Sequence, residues 1–125
     1  MKILLGPAGI GGISEAHKFL EYYNKEKIGA AEIPFTYQVW LKNDDAKKIG
    51  EIAEKFSVSL SIHAPYYINL NSHEKKKIED SKKRILESCE RGHYLSATHI
   101  VFHPGFYGKK SKEETFNVIA EEIKE

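Results

Sequence analysis

The chain has 125 residues, enough for one domain or one large domain fragment, with 41% hydrophobic residues to fill a core and 30% charged residues of mixed sign. A formal net charge of +1 gives no general pull toward nucleic acid, and composition neither requires nor excludes a local basic patch. A single cysteine, Cys89, excludes an intramolecular disulfide and any zinc module built on paired CxxC motifs.

Taken in chain order, "KILLG" (2–6) is a short apolar run closed by a glycine-rich loop and reads as a buried strand. The same segment is too short for a signal peptide, and no apolar run is long enough to cross a bilayer, so the cytosol is the default compartment and no membrane partner is expected. "ISEAHKFLEYY" (13–23) spaces Ile13, Ala16, Leu20 and Tyr23 as one helix face. "GAAEIPF" (29–35) is a second strand, with Pro34 at its end or in a bulge. Asn43 then caps a helix whose first turn holds Asp44 and Asp45 and whose stripe is Ala46, Ile49, Ile52, Ala53 and Phe56.

"VSLSIH" (58–63) alternates as a third strand, and residues 73–91 form a third helix capped by Asn71 or Ser72 and ended by Gly92. Cys89 lies within that helix and is expected to be a buried structural thiol. "THIVFH" (98–103) is the fourth strand. The fourth helix opens at Ser111 with Glu114 three residues on, a capping-box pattern, and carries Val118, Ile119 and Ile123 on its apolar side.

The order βαβαβαβα predicts a parallel sheet with right-handed crossovers. Two α/β architectures fit it: a small open sheet, or the N-terminal half (four βα units) of a TIM (β/α)8 barrel, which typically needs about 250 residues. Strand faces favour the half-barrel. Leu60 and Ile62 would face helices while Ser59, Ser61 and His63 face the other way, and a doubly wound sheet would need both faces apolar. Residues 1–125 are therefore expected to be a single domain or fragment, and the ending at "AEEIKE" favours truncation of a larger barrel.

His63 and His103 each close one of two successive strands. In a parallel barrel, function concentrates at the C-terminal strand ends, and neighbouring strands lie about 4.8 Å apart, so two imidazoles at matched heights can converge on one ion. Two ligands are too few for a tight site, since catalytic zinc usually takes three protein ligands and a water. His99 is expected deeper in the lumen, packed or hydrogen-bonded, and His17, His73 and His93 are expected on the surface.

The stretches "SIHAPYYINL" and "VFHPGFYG" resemble the strand-three and strand-four signatures of the endonuclease IV family, and "GPAGIGGISEA" resembles its first loop and helix. The resemblance runs the full length in element order and is most specific at the two histidine motifs. It implies a TIM barrel with zinc, in the full-length family a multinuclear cluster, hydrolysing a phosphodiester 5′ to an abasic site in DNA repair. On that resemblance His63 and His103 match two zinc ligands, and Tyr66, with Tyr67 beside it, matches an aromatic that enters the DNA at the lesion. The family's other His, Asp and bridging carboxylate ligands come from later strands, so this chain carries part of a site and is expected to be inactive alone. Where the family's second loop supplies a basic residue to DNA, "FTYQVWLK" offers Tyr37, Gln38 and Trp40, with Lys42 the nearest charge.

Three other readings compete. Glu32 in the second strand suits a xylose-isomerase-like sugar isomerase or epimerase, although "YYINL" favours the nuclease branch. "GPAGIGG" as a phosphate cradle fits poorly, because its glycines run G-x-x-G-x-G and Pro7 removes an amide. A non-catalytic half-barrel fragment would leave edge strands open and would be prone to self-association through them.

Overall fold

The structure is a computed structural model describing residues 3–124. Its elements are α1 (Ala16–Lys25), β1 (Ala30–Pro34), α2 (Asn43–Lys55), β2 (Ser59–His63), α3 (Lys75–Leu95), β3 (His99–Val101) and α4 (Lys112–Lys124). The three strands form one parallel sheet in the order β1-β2-β3. They are the second, third and fourth predicted strands, each found within two residues of its expected bounds.

The first predicted strand does not form. Lys2 lies outside the described residues, and residues 3–6 carry no ladder. The pairing occurs further on: Ala8 makes a single parallel bridge to Glu32, Gly9 N donates to Glu32 O at 2.7 Å, and Glu32 N donates to Pro7 O at 3.0 Å. Among the described residues this segment has a strand neighbour on one side only, and Ile3 and Leu5 are exposed, so packing cannot hold it extended. What pins it is Tyr23 on α1, whose hydroxyl donates to Gly9 O at 2.8 Å; burial pushes that phenol above its ordinary pKa.

The main core lies between the sheet and helices α1 and α2. Leu20, Ala46, Ile49 and Ala53 from the helices meet Ile33, Leu60 and Ile62 from the strands, as the period-two and helical patterns require. A second cluster of Ala64, Ile68 and Leu70 sits under the loop after β2, with Ile78, Ile85, Phe102 and Ile119 against it. Lys82 and Glu122 join α3 to α4 at 2.7 Å over this cluster.

Three helix details differ from expectation. Asn43 is the first residue of α2, not its cap, and its side chain is taken by Arg91 and Glu90 of α3. Gly92 does not end α3. The helix passes through it to Leu95 and stops at Ser96, which adopts the left-handed conformation at φ 52°. Cys89 is exposed, because α3 turns its small residues Ser81, Ser88 and Gly92 inward and the position beside Ser88 faces out. The capping box of α4 forms as expected: Ser111 N donates to Glu114 Oε2 at 2.7 Å and Glu114 N to Ser111 Oγ at 3.2 Å.

The other sheet face is polar, and among the described residues no helix covers it. Register places Glu32, Ser61 and His99 in one row across the strands and Pro34, His63 and Val101 in the next. Val101 is 47% exposed on this face despite its apolar side chain. His99 is exposed too; of the two expected alternatives it is not packed but hydrogen-bonded, its Nδ1 lying 2.9 Å from Oγ1 of the adjacent Thr98, not from a helix.

Candidate functional site

The functional candidates gather where the strands end. His63 is the last residue of β2 and is half-buried. Its Nδ1 lies 2.9 Å from Ala64 O. A carbonyl oxygen only accepts, so this contact takes Nδ1–H as its donor, and in the neutral ring that leaves Nε2 as the atom able to ligate a metal.

His103 is not a strand end as expected. β3 closes at Val101, which is the register partner of His63, and His103 lies two residues beyond. The two rings still meet, with centroids 5.1 Å apart at 47°. Curling a sheet toward a barrel tilts its strands and staggers their register, so equal heights at the mouth fall on residues that are not ladder partners. Two imidazoles on one tetrahedral ion, with metal–nitrogen distances of about 2.0–2.1 Å, would hold their centroids about 5 Å apart. The pair therefore fits two ligands of one ion. No third His, Cys, Asp or Glu joins them among the described residues, so the donor set is partial.

Tyr66 is the third ring of this group. Its centroid is 5.4 Å from that of His63, edge to face, and 5.9 Å from that of His103. It is 52% exposed, half committed to the histidines and half to solvent. Tyr67 turns away from the histidines. It faces Tyr37 of the β1–α2 loop at 6.3 Å and 29°, and the two are 62% and 70% exposed. His17, His73 and His93 are exposed and take no part, as expected. Glu32 stands one row below His63 on the lumen face, half-buried.

Two groups at the mouth were not assembled by sequence reasoning. Asn71, expected only as a helix cap, is buried between the β2–α3 and β3–α4 loops. Its Nδ2 donates to Phe106 O at 2.7 Å, with Tyr107 O at 3.3 Å and Thr115 Oγ1 at 3.4 Å, while Lys110 Nζ donates to its Oδ1 at 2.8 Å. Leu70 N adds a bond to Pro104 O at 2.8 Å, so the loop carrying Tyr66 is fastened to the loop carrying His103. The second group is a cleft of about 640 Å³ above α3, lined in part by Tyr37, Tyr67, Arg84 and Phe106. The one visible hint of either group was the "INLNS" run, where polar residues flank a buried leucine.

A parallel sheet with alternating strand–helix order and two imidazoles converging above its C-terminal edge defines the class. Residues 21–125 match the family described as Xylose isomerase-like TIM barrel, and the chain belongs to that family. Over 122 residues it is 38% identical to an uncharacterized protein of Methanocaldococcus jannaschii, covering 97% of this chain and 44% of that protein. It is 42% identical over 62 residues to an apurinic-apyrimidinic endonuclease of Caenorhabditis elegans, covering 49% of this chain and 16% of that protein. Two solved structures share the fold. D-psicose 3-epimerase of Clostridium cellulolyticum superposes with a TM-score of 0.69 at 16% identity, covering 86% of this chain and 40% of that one. Endonuclease IV of Thermus thermophilus gives 0.61 at 17% identity, covering 94% and 46%. The chain spans less than half the length of each, and its parallel sheet matches one half of a TIM barrel.

Proposed function

We propose that this chain contributes the first half of an endonuclease IV-like barrel that binds a divalent metal, zinc by preference, and hydrolyses DNA beside abasic sites. The observation that carries the reading is the packing of His63, His103 and Tyr66, three rings within 6 Å of one another at the barrel mouth. The relative named as an apurinic-apyrimidinic endonuclease supports the substrate class.

In this reading His63 and His103 hold the metal, and the remaining ligands come from strands beyond these residues or from another copy. When bound, the metal supplies a Lewis acid for the phosphodiester and activates the attacking water. The chain's own residues do the rest. The Ala64 carbonyl keeps His63 in the tautomer that can ligate. Tyr66 braces both imidazoles and offers its free face to the helix, and Tyr67 lies beside it at the rim, where aromatic side chains can enter a base step and offset the cost of distorting the duplex. The open edge of β3 and the uncovered lumen suit pairing with the rest of a barrel or a second copy. A cytoplasmic setting belongs to the same reading; among the described residues no helix is long and apolar enough to cross a membrane.

The test is binding of the 125-residue chain, with and without zinc, to a duplex carrying one tetrahydrofuran abasic analogue and to the intact duplex. Preference for the abasic duplex, lost in Tyr66→Ala, is the expected result. Equal affinity for both duplexes, unchanged by that substitution, overturns the reading.

A sugar isomerase or epimerase is the second reading. It is favoured by Glu32, a half-buried carboxylate on the lumen face below His63, and by the likeness to D-psicose 3-epimerase. Under it, D-psicose protects the chain against unfolding in the presence of metal and Glu32→Gln abolishes the protection.

A further inference from the structure

We propose that a second copy of this chain covers the open sheet and closes it into an eight-stranded barrel, each copy giving four parallel segments. The inference needs neither the metal nor the DNA of the reading above. It rests on the two edges of the sheet and on the helices beside them.

The first edge is residues 4–9. Ala8 bridges Glu32 in parallel, a β-carbon at Gly6 would collide with Ala30 O, and one at Gly29 would lie 3.0 Å from Leu4 Cδ2. The segment therefore follows β1 from Gly29 to Glu32 as a fourth parallel member of the sheet. The second edge is β3. Among the described residues neither edge has a neighbour on its outer side. Like edges joined by a two-fold axis run antiparallel and leave the sheet open. Unlike edges joined by a two-fold axis along the strands run parallel, and two such junctions close the ring. Eight strands are also the number whose interior side chains just fill the space within.

The exposed side chains match this closure. Alternation puts Ala8 on the face of Glu32, and Ile3 and Leu5 on the opposite face, the one that α1 and α2 cover elsewhere in the sheet. Ile3 and Leu5 are nevertheless 72% and 77% exposed. α4 offers a surface to cover them. Phe116 and Ile123, seven residues apart on one stripe, are both exposed, and among the described residues of this helix only Thr115 is buried.

Closure sets α4 of one copy beside α1 of the other, where Phe19 and Tyr22 form a second part-exposed stripe. Charge favours that pairing. α1 carries Lys18 and Lys25 against Glu21, a surplus of one positive charge. α4 carries Glu113, Glu114, Glu121 and Glu122 against Lys112 and Lys124, a surplus of two negative charges. Unlike helices attract, whereas α4 on α4 or α1 on α1 would repel. One further copy also supplies the length that the fold lacks, since this chain spans 44% of the Methanocaldococcus relative and 46% of the Thermus endonuclease IV. The closed mouth would then carry two His63/His103 pairs, one from each copy.

The experiment is sedimentation velocity of the 125-residue chain from about 1 to about 200 μM, with amide hydrogen exchange on the same samples. The expected species has twice the 14.3 kDa of one chain and nothing larger forms. Protection at residues 3–6 and 99–101 is expected to rise with concentration. Val101→Glu and Leu5→Glu change residues exposed in the single chain, so each is expected to keep its circular dichroism and to weaken association at least about tenfold. An equimolar mixture of the two variants is expected to associate more tightly than either alone, because one of its two junctions keeps both native edges. Cys89→Ser is expected to associate like the parent.

The proposal is overturned by a monomer throughout that range, by open-ended oligomers, or by a dimer that Cys89→Ser dissolves. It is also overturned by a dimer that Val101→Glu breaks and Leu5→Glu leaves intact, which would pair β3 with β3. If a variant loses its circular dichroism, the exchange pattern of the parent decides alone. Closure without abasic-duplex preference removes the repair reading and leaves the pairing. Abasic preference by a monomer removes the pairing alone.

Discussion

Lys110 Nζ donates to the buried Oδ1 of Asn71 at 2.8 Å, and through the same side chain the two loops that form the barrel mouth become one unit. Truncating Asn71 strands the Phe106 carbonyl and the Lys110 ammonium beside a cavity, whereas losing only Lys110 leaves the Asn71–Phe106 bond intact. An unsatisfied buried polar group costs about 1–3 kcal/mol, so Asn71→Ala is expected to lose about 2 kcal/mol in urea unfolding. Lys110→Met should lose well under half of that. Equal losses would mean that the ammonium, not the carboxamide, joins the loops.

That junction also shows where sequence reasoning reaches its limit. The alternation in residues 58–63, the stripe of α2 and the Ser111–Glu114 box are local patterns, and each reappears in the structure where the pattern put it. The face of α3 is not local. Its buried positions are Ser81, Ser88, Gly92 and Leu95, and the two serines satisfy their hydroxyls on Lys77 O at 2.6 Å and Arg84 O at 2.8 Å within the same helix. Hydrophobicity therefore points away from the true interface, which explains both the misplaced Cys89 and the helix end assigned to Gly92. At the candidate site both histidines were legible as residues of the same edge, but only His63 ends its strand. The two-residue stagger that brings them together was not legible, because it comes from the curl of the sheet.

The histidine pair makes a direct prediction about metal. Because the Ala64 carbonyl fixes one tautomer of His63, and His103 meets it at 5.1 Å, each single alanine variant should weaken zinc binding by at least about tenfold in calorimetry, and the double variant should abolish it. His99→Ala, one row lower and bonded to Thr98, should bind like the parent. Equal losses at His99 and His103 would move the metal down into the lumen.

Acid should loosen α4 before the sheet. The backbone N–H of Ser111, together with its side chain, holds the Glu114 carboxyl below the ordinary carboxylate range. A pKa lower in the folded state than in the unfolded chain stabilises above the unfolded value, and that stabilisation is lost as pH falls through the folded one. Amide exchange in residues 112–118 should therefore accelerate between about pH 5 and pH 3. In Glu114→Gln the capping geometry can persist without the charge, so this acid-linked acceleration should largely vanish. An unchanged profile in that variant would assign the acid sensitivity to another carboxylate.

Two glycines test how closely α3 is packed. A β-carbon at Gly50 of α2 would lie 2.8 Å from Leu95 O and 3.0 Å from Tyr94 O, backbone atoms at the end of α3 that cannot move without shifting the helix. A β-carbon at Gly92 would lie 2.7 Å from Cδ1 of Ile100, the far end of a half-buried side chain that can rotate away. Alanine in place of a helical glycine gains about 1 kcal/mol of propensity in both cases. Overpacking against fixed backbone costs about 1–3 kcal/mol or more, so Gly50→Ala should lose about 2 kcal/mol net, while Gly92→Ala should stay within about 1 kcal/mol of the parent. Urea unfolding of the two variants measures the difference directly. If Gly50→Ala proves neutral, the middle of α2 and the C-terminal end of α3 are not in the tight contact described.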